Sequence, residues 1–403
     1  MKMKGKVLLV AIFTIVCMLS IASKGYSASA RGVTETTIKI GGIFDLTGPL
    51  ASIIKPVVEG IRNYTRYVND QGGIHGRKIQ LIIEDDRYII PAAVAAFKKL
   101  IYKDEIFTLL GPGSTGETRT LMNQIMSQKL PTLPLAADRD MIIPYKRYIF
   151  LPIDTYDNEI GIIFDYILQE AKPKKPKIAL VCIDAGVKVA VLKAVKEWTQ
   201  FFGIEVDMFM LPLNVLDTTS DVLSIKRAKA DYIIVTHSIP TIALFLRDSK
   251  RFGLNAKIYA TYSGTSEDVI NIAKKAADNF YGVHPFSSWY DDTPGMAEAR
   301  KITLHYYPGT EKPYRSKNYS IGWVMANLVH EGIKRAGRNL DGERFIDAME
   351  TIRNFDTKGI CGLITYTSKS HEGLKYNKVF HADPESGKLI PITDWRKAPD
   401  MRK

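Results

Sequence analysis

The chain of 403 residues has only 3 cysteines and a single long uncharged apolar run. Three cysteines cannot form a disulfide-dense scaffold, and neither a Cys-x-x-Cys pair nor a Cys/His cluster with zinc spacing occurs. One apolar run excludes a polytopic membrane protein. A hydrophobic fraction of 46% and a charged fraction of 24% exclude wholesale disorder, and the length favours two lobes over one core.

Signatures of catalysis are missing as well. The chain has no Gly-x-Ser-x-Gly or His-Glu-x-x-His motif, and its 7 histidines are scattered. Glu84, Asp85 and Asp86 follow one another at a strand end, but no second carboxylate group at metal spacing accompanies them. We therefore expect a solvated strand end there, and we expect no enzymatic activity, no cofactor and no metal site.

The first thirty residues have the order of a secretory signal peptide. Residues 2–6 carry three lysines, residues 7–22 are almost wholly apolar, and small residues follow at 28–30. The run is short for a membrane span, so we expect cleavage after Ala30 rather than an uncleaved anchor. Cys182 and Cys361 then remain; they could pair in an oxidising compartment, although Cys182 in the apolar run 178–183 is typical of ordinary core packing.

Short apolar strands alternate with helices along the rest of the chain. The first series predicts strands over 37–44, 78–84, 106–110 and 131–135, with helices from 54, over 91–102 and over 117–128. After a Lys/Pro linker at 172–177, a second series predicts strands over 178–183, 204–210, 232–236 and 257–261, with helices over 187–202 and 240–252. Helices over 296–307, 319–336 and 342–352 and hairpin strands over 360–366 and 378–381 complete the pattern. Such repetition predicts an α/β fold with two doubly wound parallel sheets.

A glycine-rich loop, GPGSTG at 111–116, stands between a strand and a helix. It matches the dinucleotide pattern and approaches a phosphate loop, but Glu117 puts an anion where a phosphate loop has lysine. The loop also follows the third strand, whereas the dinucleotide fingerprint belongs to the first. What remains is a helix start whose N–H groups attract a carboxylate, with the hydroxyls of Ser114 and Thr115 beside it. Simple capping of the helix is an alternative that is compatible with anion binding.

A series of short motifs runs along the chain. They are DLTGP at 45–49, VNDQGGIHGR at 68–77, EDD at 84–86, GPGST at 111–115, LP at 130–131, AA at 136–137, RFGL at 251–254 and the segment 359–366. In this order they resemble the branched-chain amino-acid family of type I periplasmic binding proteins. The resemblance covers essentially all of the chain after residue 30. It implies two lobes, 31–154 with 284–355 and 155–283 with 356–403, joined by crossovers near Asp154, Val283 and Phe355. The lobes would close on a ligand by hinge motion.

The resemblance also implies a ligand site between the lobes. Its residues would be Ser114, Thr115, Ala136, Ala137, Asp138, Ala185, His237, Tyr262 and Ser263. Relative to the family pattern, Asp138 replaces a small hydroxyl residue, Ala185 replaces an aromatic residue, and an acid that holds an ammonium group is missing near Tyr262. Unless Asp138 takes over that role, these departures favour a small carboxylate or aromatic acid over an ordinary amino acid.

The implied function is that of a periplasmic, monomeric receptor that delivers a small carboxylate or amino-acid-like ligand to the permease of an ABC importer. A ligand sensor for a signalling partner and, less favoured, an exported α/β enzyme are the alternatives. Although the net charge is +12, four of the lysines lie in the first thirty residues. The remaining basic residues form no basic-aromatic stripe, so we expect no nucleic-acid partner.

Overall fold

Two separate sheets organise the chain in the computed structural model, which describes residues 30–312 and 314–401. The predicted signal peptide, apart from Ala30, lies outside these residues. The first sheet has the order β2-β1-β3-β4 and is parallel throughout. Its strands are β1 (Thr37–Phe44), β2 (Lys78–Asp85), β3 (Thr108–Leu110) and β4 (Thr132–Leu133). The connecting helices are α1 (Ala51–Asp70), α2 (Ile90–Tyr102) and α3 (Thr115–Ser127).

The second sheet has seven strands in the order β11-β10-β9-β8-β7-β5-β6. They are β5 (Ile178–Ile183), β6 (Val206–Leu211), β7 (Tyr232–Thr236), β8 (Lys257–Ala260), β9 (Phe280–His284), β10 (Lys378–Asp383) and β11 (Lys388–Pro391). Strand β10 runs antiparallel to both of its neighbours, β9 and β11. The helices that accompany this second sheet are α4 (Tyr156–Ala171), α5 (Lys188–Phe202), α6 (Thr219–Ala228), α7 (Ile239–Arg251) and α8 (Glu267–Ala273). Every residue of β5 is buried, as its continuous apolar run predicts for an interior parallel strand.

Three later helices return to the first sheet: α9 (Pro294–Tyr306), α10 (Lys317–Ala336) and α11 (Gly342–Met349). Helices α10 and α1 cross with almost no space between their backbones. A Cβ atom on Gly322 would lie 1.7 Å from the carbonyl oxygen of Val57, and one on Gly60 would lie 2.2 Å from that of Tyr319. The two glycines therefore permit a contact that side chains would prevent. We call β1–β4 with α1–α3 and α9–α11 the first lobe, and β5–β11 with α4–α8 the second lobe.

The hairpin predicted near the end of the chain is wrong. Residues 360–366 form only isolated bridges, from Cys361 to Phe286 and from Ile364 to Phe355, and β10 pairs instead with β9 and β11. The buried apolar residues of this segment belong to no strand, so burial rather than strand pairing explains its composition; they are Ile360, Cys361, Ile364 and Tyr366. The predicted residue boundaries of the lobes and crossovers stay a prediction.

Cys182 and Cys361 are both buried and free, so the structure contains no bond between them. Within the described ranges, none of the helices combines the length and apolarity needed to cross a membrane. All strands of the first sheet are parallel, and β5–β9 of the second are parallel to one another. The loops that follow their carboxyl ends therefore gather at one edge of each sheet, which is where open α/β sheets bind ligands.

Candidate functional site

A cavity of about 60 Å³ lies among the loops that follow the strands of both sheets. The first lobe lines it with Leu50, Ile53, Ile54, Val57, Tyr88, Gly113, Ser114, Thr115, Leu135 and Ile321. The second lobe contributes Tyr156, Ile183, Val187, Thr236, His237, Ser238, Tyr262 and Ser263. Eight of these side chains are aliphatic, and none of the lining residues is Asp, Glu, Lys or Arg. The walls are thus largely apolar, with hydroxyl and backbone groups as the polar elements.

The polar corner of the first lobe is the start of α3. Ser114 is the N-cap residue, and its Oγ accepts a hydrogen bond from the N–H of Glu117 at 3.2 Å. The same hydroxyl donates to Oε2 of Glu117 at 2.8 Å. Spacing of Ser and Glu three residues apart is a capping signature, so local sequence explains this geometry. The first-turn N–H groups of a helix have no intrahelical acceptor, which leaves this corner suited to an anion.

Two buried acids stand behind that corner. Glu117 and Asp86 are 1% and 0% exposed, respectively. Burial, followed by the negative charge of Asp86, raises the pKa of Glu117 to about 8, and burial also raises the pKa of Asp86. Glu117 is consequently mostly uncharged at neutral pH.

His237 lies on the opposite wall, and both of its ring nitrogens are occupied. Nδ1 accepts the N–H of Ser238 at 2.9 Å, so the proton belongs on Nε2, which lies 3.1 Å from the carbonyl oxygen of Pro212. Burial lowers the pKa of His237 to about 4, although the hydrogen bond to Pro212 acts in the opposite direction. The histidine therefore contributes a neutral ring to the cavity rather than a positive charge.

Two tyrosines, Tyr156 and Tyr262, form the aromatic part of the second lobe's wall, with ring centroids 5.8 Å apart. The backbone N–H of Tyr262 donates to Oε2 of Glu159 at 3.2 Å, and Oε1 of Glu159 is buried without a hydrogen-bond partner. Burial, followed by the charge of Asp154, raises the pKa of Glu159 well above its usual range. Burial thus favours the neutral form of this acid, which is not among the residues that line the cavity.

The lobes meet beside the cavity at two glycines. A Cβ atom on Gly186 would lie 2.9 Å from the Cα atom of Gly116, so the loops after β3 and β5 are in direct contact. Ion pairs join the same two lobes nearby, from Lys193 to Asp140 at 2.6 Å and from Arg139 to Asp157 at 2.6 Å. The two lobes are therefore in direct contact beside the cavity.

Of the nine site residues predicted from sequence, five line the cavity: Ser114, Thr115, His237, Tyr262 and Ser263. The other four do not: Ala136, Ala137, Asp138 and Ala185. Asp138 is buried, pairs with Arg119, and accepts the N–H of Asp140 at 2.9 Å as the cap of a short 3-10 helix. Its carboxylate is thus already bound by two protein donors. A role in ligand binding stays a prediction for all nine residues.

Sequence reasoning did not identify most of the apolar lining. The aliphatic residues of α1 look like ordinary core positions of an amphipathic helix, because the cavity is an extension of the core surface. Tyr88 lies shortly after the end of β2, and Tyr156 is the first residue of α4. Their positions next to the ends of predicted elements were the available sequence signal for a place in the cavity. Among the residues that the structure describes, no group of three His, Cys, Asp or Glu side chains is placed to hold a metal ion.

A profile of the periplasmic binding protein family matches residues 37–386. The chain belongs to the periplasmic binding protein family. Among curated relatives, Leu/Ile/Val-binding protein homolog 7 of Brucella melitensis is 24% identical over 316 residues, 74% of this chain and 77% of the relative. The Leu/Ile/Val-binding protein of Escherichia coli K12 is 22% identical over 259 residues, 64% of this chain and 69% of the relative.

Solved structures of other periplasmic binding proteins share the fold. A branched-chain amino acid ABC transporter protein from Thermus thermophilus with bound valine superposes with a TM-score of 0.84 at 23% identity, covering 92% of this chain and 99% of that one. A fatty acid ABC transporter substrate-binding protein from Thermomonospora curvata has a TM-score of 0.81 at 20% identity, covering 93% and 95%. The resemblance and the two-lobed type I fold predicted from sequence are confirmed.

Proposed function

We propose that this periplasmic binding protein is a receptor for a small carboxylate with an apolar body, which it delivers to an ABC importer. The observation that carries the proposal is the composition of the cavity. One corner offers the start of α3 with Ser114 and Thr115, and the remaining walls offer eight aliphatic side chains and three tyrosines. A carboxylate suits the helix start, and a hydrocarbon or aromatic body suits the rest.

The cavity favours a simple carboxylate over an amino acid. An amino acid would bring an ammonium group into a cavity whose lining residues include no carboxylate. Leaving that charge without an ionised partner in an apolar site is costly. Glu159 is not among the lining residues: it accepts the backbone N–H of Tyr262, and burial raises its pKa, which disfavours its ionised form. The carboxylate, in contrast, needs only the N–H groups and hydroxyls at the start of α3.

Delivery to an importer and a periplasmic location follow from membership of the family and from the signal-peptide pattern of the first thirty residues. The receptor acts by binding and closure as a monomer, and no step of this function needs chemistry on the ligand. Two of the structural relatives are a branched-chain amino acid ABC transporter protein with bound valine and a fatty acid ABC transporter substrate-binding protein. Those ligands share an apolar body next to a carboxylate, which agrees with the cavity seen in this chain.

The test compares two ligands that differ only by an ammonium group, leucine and 4-methylpentanoate, by isothermal titration calorimetry. We expect 4-methylpentanoate to bind at least about tenfold more tightly, because an unpaired buried charge costs more than 1.4 kcal/mol. Octanoate and 3-phenylpropanoate then measure whether the body is extended or aromatic. Binding of leucine alone, or of none of the four, would contradict the proposal.

A variant sharpens this test. Ser263→Asp places an acid in the second lobe's wall, where it can pair with an ammonium group. We expect it to weaken binding of 4-methylpentanoate and to improve binding of leucine. The matched control is Ser220→Asp, which adds the same charge at an exposed position of α6. Equal effects of the two variants would remove Ser263 from the site.

A further inference from the structure

Two buried carboxyl groups behind the cavity have oxygen atoms that no N–H or O–H donor of the protein satisfies. They are Oε1 of Glu117 and Oδ2 of Asp86. Both side chains are essentially inaccessible to solvent. The remaining oxygen of Glu117 is 2.8 Å from Oγ of Ser114, which lines the cavity, and Oδ1 of Asp86 accepts the N–H of Tyr88 at 2.9 Å. Unsatisfied buried oxygens are uncommon and require an explanation.

A shared proton supplies that explanation. Glu117 and Asp86 are close enough for a side-chain hydrogen bond to each other. Two ionised carboxylates can only accept, so the contact requires a proton on one of them. The pKa of Glu117 is raised to about 8, by burial first and by the charge of Asp86 second, which identifies Glu117 as the proton holder.

The groups that face this pair come from the loops after β1 and β2. Asp45 accepts the N–H groups of Gly48 at 2.5 Å and Leu50 at 2.7 Å. Asp85 accepts the hydroxyl of Thr47 at 2.6 Å and further backbone N–H groups. Both of these acids therefore have donors of their own.

Tyr88, the third group that faces the pair, has its pKa raised to about 12, mainly by burial. It is uncharged wherever Glu117 titrates. Glu117 is thus the member of this acidic surrounding whose charge changes near neutral pH.

We infer that Glu117 determines which headgroup charge the cavity accepts. While Glu117 holds its proton, it tolerates an anion beside Ser114. Once Glu117 has lost the proton, its negative charge repels that anion. The inference deepens the proposed function and rests on it. A carboxylate that accepts the O–H of Ser114 would take it from Oε2 of Glu117 and would sit one side chain away from that acid. In an apolar surrounding, two negative charges at such a separation repel strongly.

Proton uptake on ligand binding is a necessary consequence. If an anionic ligand makes ionisation of Glu117 less favourable, then binding increases the affinity of Glu117 for its proton. Near pH 8, where part of the ligand-free protein has lost this proton, binding of a carboxylate should take up a fraction of a proton from solution. At pH 6.5 the proton is already in place, and uptake should vanish.

The experiment measures the dissociation constant of 4-methylpentanoate from pH 6.5 to pH 9.5 by calorimetry, for the wild type and for Glu117→Gln. The ligand stays ionised throughout, so it contributes no pH dependence. We expect the wild type to lose about tenfold in affinity as Glu117 ionises, and Glu117→Gln to change by less than about twofold. Parallel curves for the two proteins would overturn the inference.

Two controls isolate the effect of Glu117. Asp154 and Lys317, buried elsewhere, also have pKa values near 8, and they remain in both proteins, so their contribution is common to the two curves. Glu205→Gln removes an acid from an exposed position just before β6 and should reproduce the wild-type curve. Asp86→Asn removes the charge that raises the pKa of Glu117, so the loss of affinity should begin at lower pH; an unchanged midpoint would contradict the pairing.

A measurement without ligand separates this inference from the proposed function. Because the pKa of Glu117 is higher in the folded protein than in the unfolded chain, its contribution to stability is full below the ordinary glutamate pKa. That contribution is lost as the pH rises through about 8. The melting temperature of Glu117→Gln relative to that of the wild type should therefore rise as the pH is raised from 5 to 9. Failure of every carboxylate to bind would overturn the proposed function. A difference in melting temperature between Glu117→Gln and wild type that stays constant over this pH range would overturn the shared proton.

Discussion

The two walls of the cavity avoid charge by different means. In the first lobe, Ser114 and Thr115 stand at a helix start and in front of Glu117, which stays uncharged by holding a proton. In the second lobe, His237 stays uncharged because burial disfavours the imidazolium form and because Nδ1 already accepts the N–H of Ser238. One wall is thus acidic and protonated, and the other is basic and deprotonated.

This difference has a consequence for recognition. The first wall can gain a negative charge as the pH rises, and the second can gain a positive charge as the pH falls. Between these limits the ligand meets neutral groups and the dipole of α3, so binding selects for shape and for one carboxylate rather than for ion pairs. The following predictions test whether the two walls act as described and whether they must meet.

The largest expected effect comes from keeping the walls apart. Gly186→Val would place side-chain atoms where the Cβ position is already 2.9 Å from Cα of Gly116. Overpacking of this kind costs about 3 kcal/mol, so we expect affinity for 4-methylpentanoate to fall about 100-fold by calorimetry. The folded lobes themselves should be unaffected, since the clash arises only between them.

Gly342→Val is the matched control, because the nearest neighbour of a Cβ atom on Gly342 is 3.8 Å away. It should leave affinity unchanged. Small-angle scattering with saturating ligand should show a more open shape for Gly186→Val than for wild type. An unchanged affinity of Gly186→Val would show that ligand binding does not need this contact.

The next effect concerns the second wall and acid stability. The pKa of His237 is lowered to about 4, so the unfolded chain takes up a proton near pH 6.5 while the folded protein does not. Stability present above pH 6.5 should therefore be lost as the pH falls towards 4. The free energy of unfolding, measured with denaturant, should fall between neutral pH and pH 4.5 by about 2–3 kcal/mol less for His237→Gln than for the wild type.

His305→Gln, on the exposed surface of α9, is the control and should follow the wild-type profile. His284 and His330 also have lowered pKa values through burial, and they are present in every one of these proteins. Their contributions to acid sensitivity are therefore shared. Superimposable profiles for wild type and His237→Gln would mean that His237 is not held neutral by the fold.

A smaller effect is expected at the corner of the first wall. Ser114→Ala removes a hydroxyl that lines the cavity and caps α3. We expect ligand affinity to fall by about 1–2 kcal/mol and the free energy of unfolding to fall by about 1 kcal/mol. Ser114→Thr keeps a capping hydroxyl and should recover most of the stability. Unchanged affinity in Ser114→Ala would remove Ser114 from the site.

The smallest effect is expected at Asp138. Its carboxylate pairs with Arg119 and caps a short 3-10 helix, away from the lining residues. We expect Asp138→Asn to change the affinity for either 4-methylpentanoate or leucine by less than about twofold, and to reduce stability by about 1 kcal/mol. A large loss of leucine binding in this variant would show instead that Asp138 serves as the ammonium partner.

Local patterns were sufficient to predict most of the fold. The continuous apolar run of β5 and the Ser-x-x-Glu pattern at Ser114 each specify an element through neighbours close in the chain. The failed hairpin at 360–366 shows the limit of such patterns. An apolar segment can be buried whether it forms a strand or only isolated bridges, so composition alone did not distinguish the two.

The sequence by itself determined the repeating strand–helix order, the helix start at Ser114 and the absence of motifs for catalysis or metal binding. Only the tertiary structure decided that Tyr156 and Ile321 share one cavity with Ser114, and that Asp138 is bound elsewhere. The physical reason is distance along the chain. Caps and strands depend on residues a few positions apart, whereas the cavity depends on how two sheets bring distant loops together, which no local periodicity encodes.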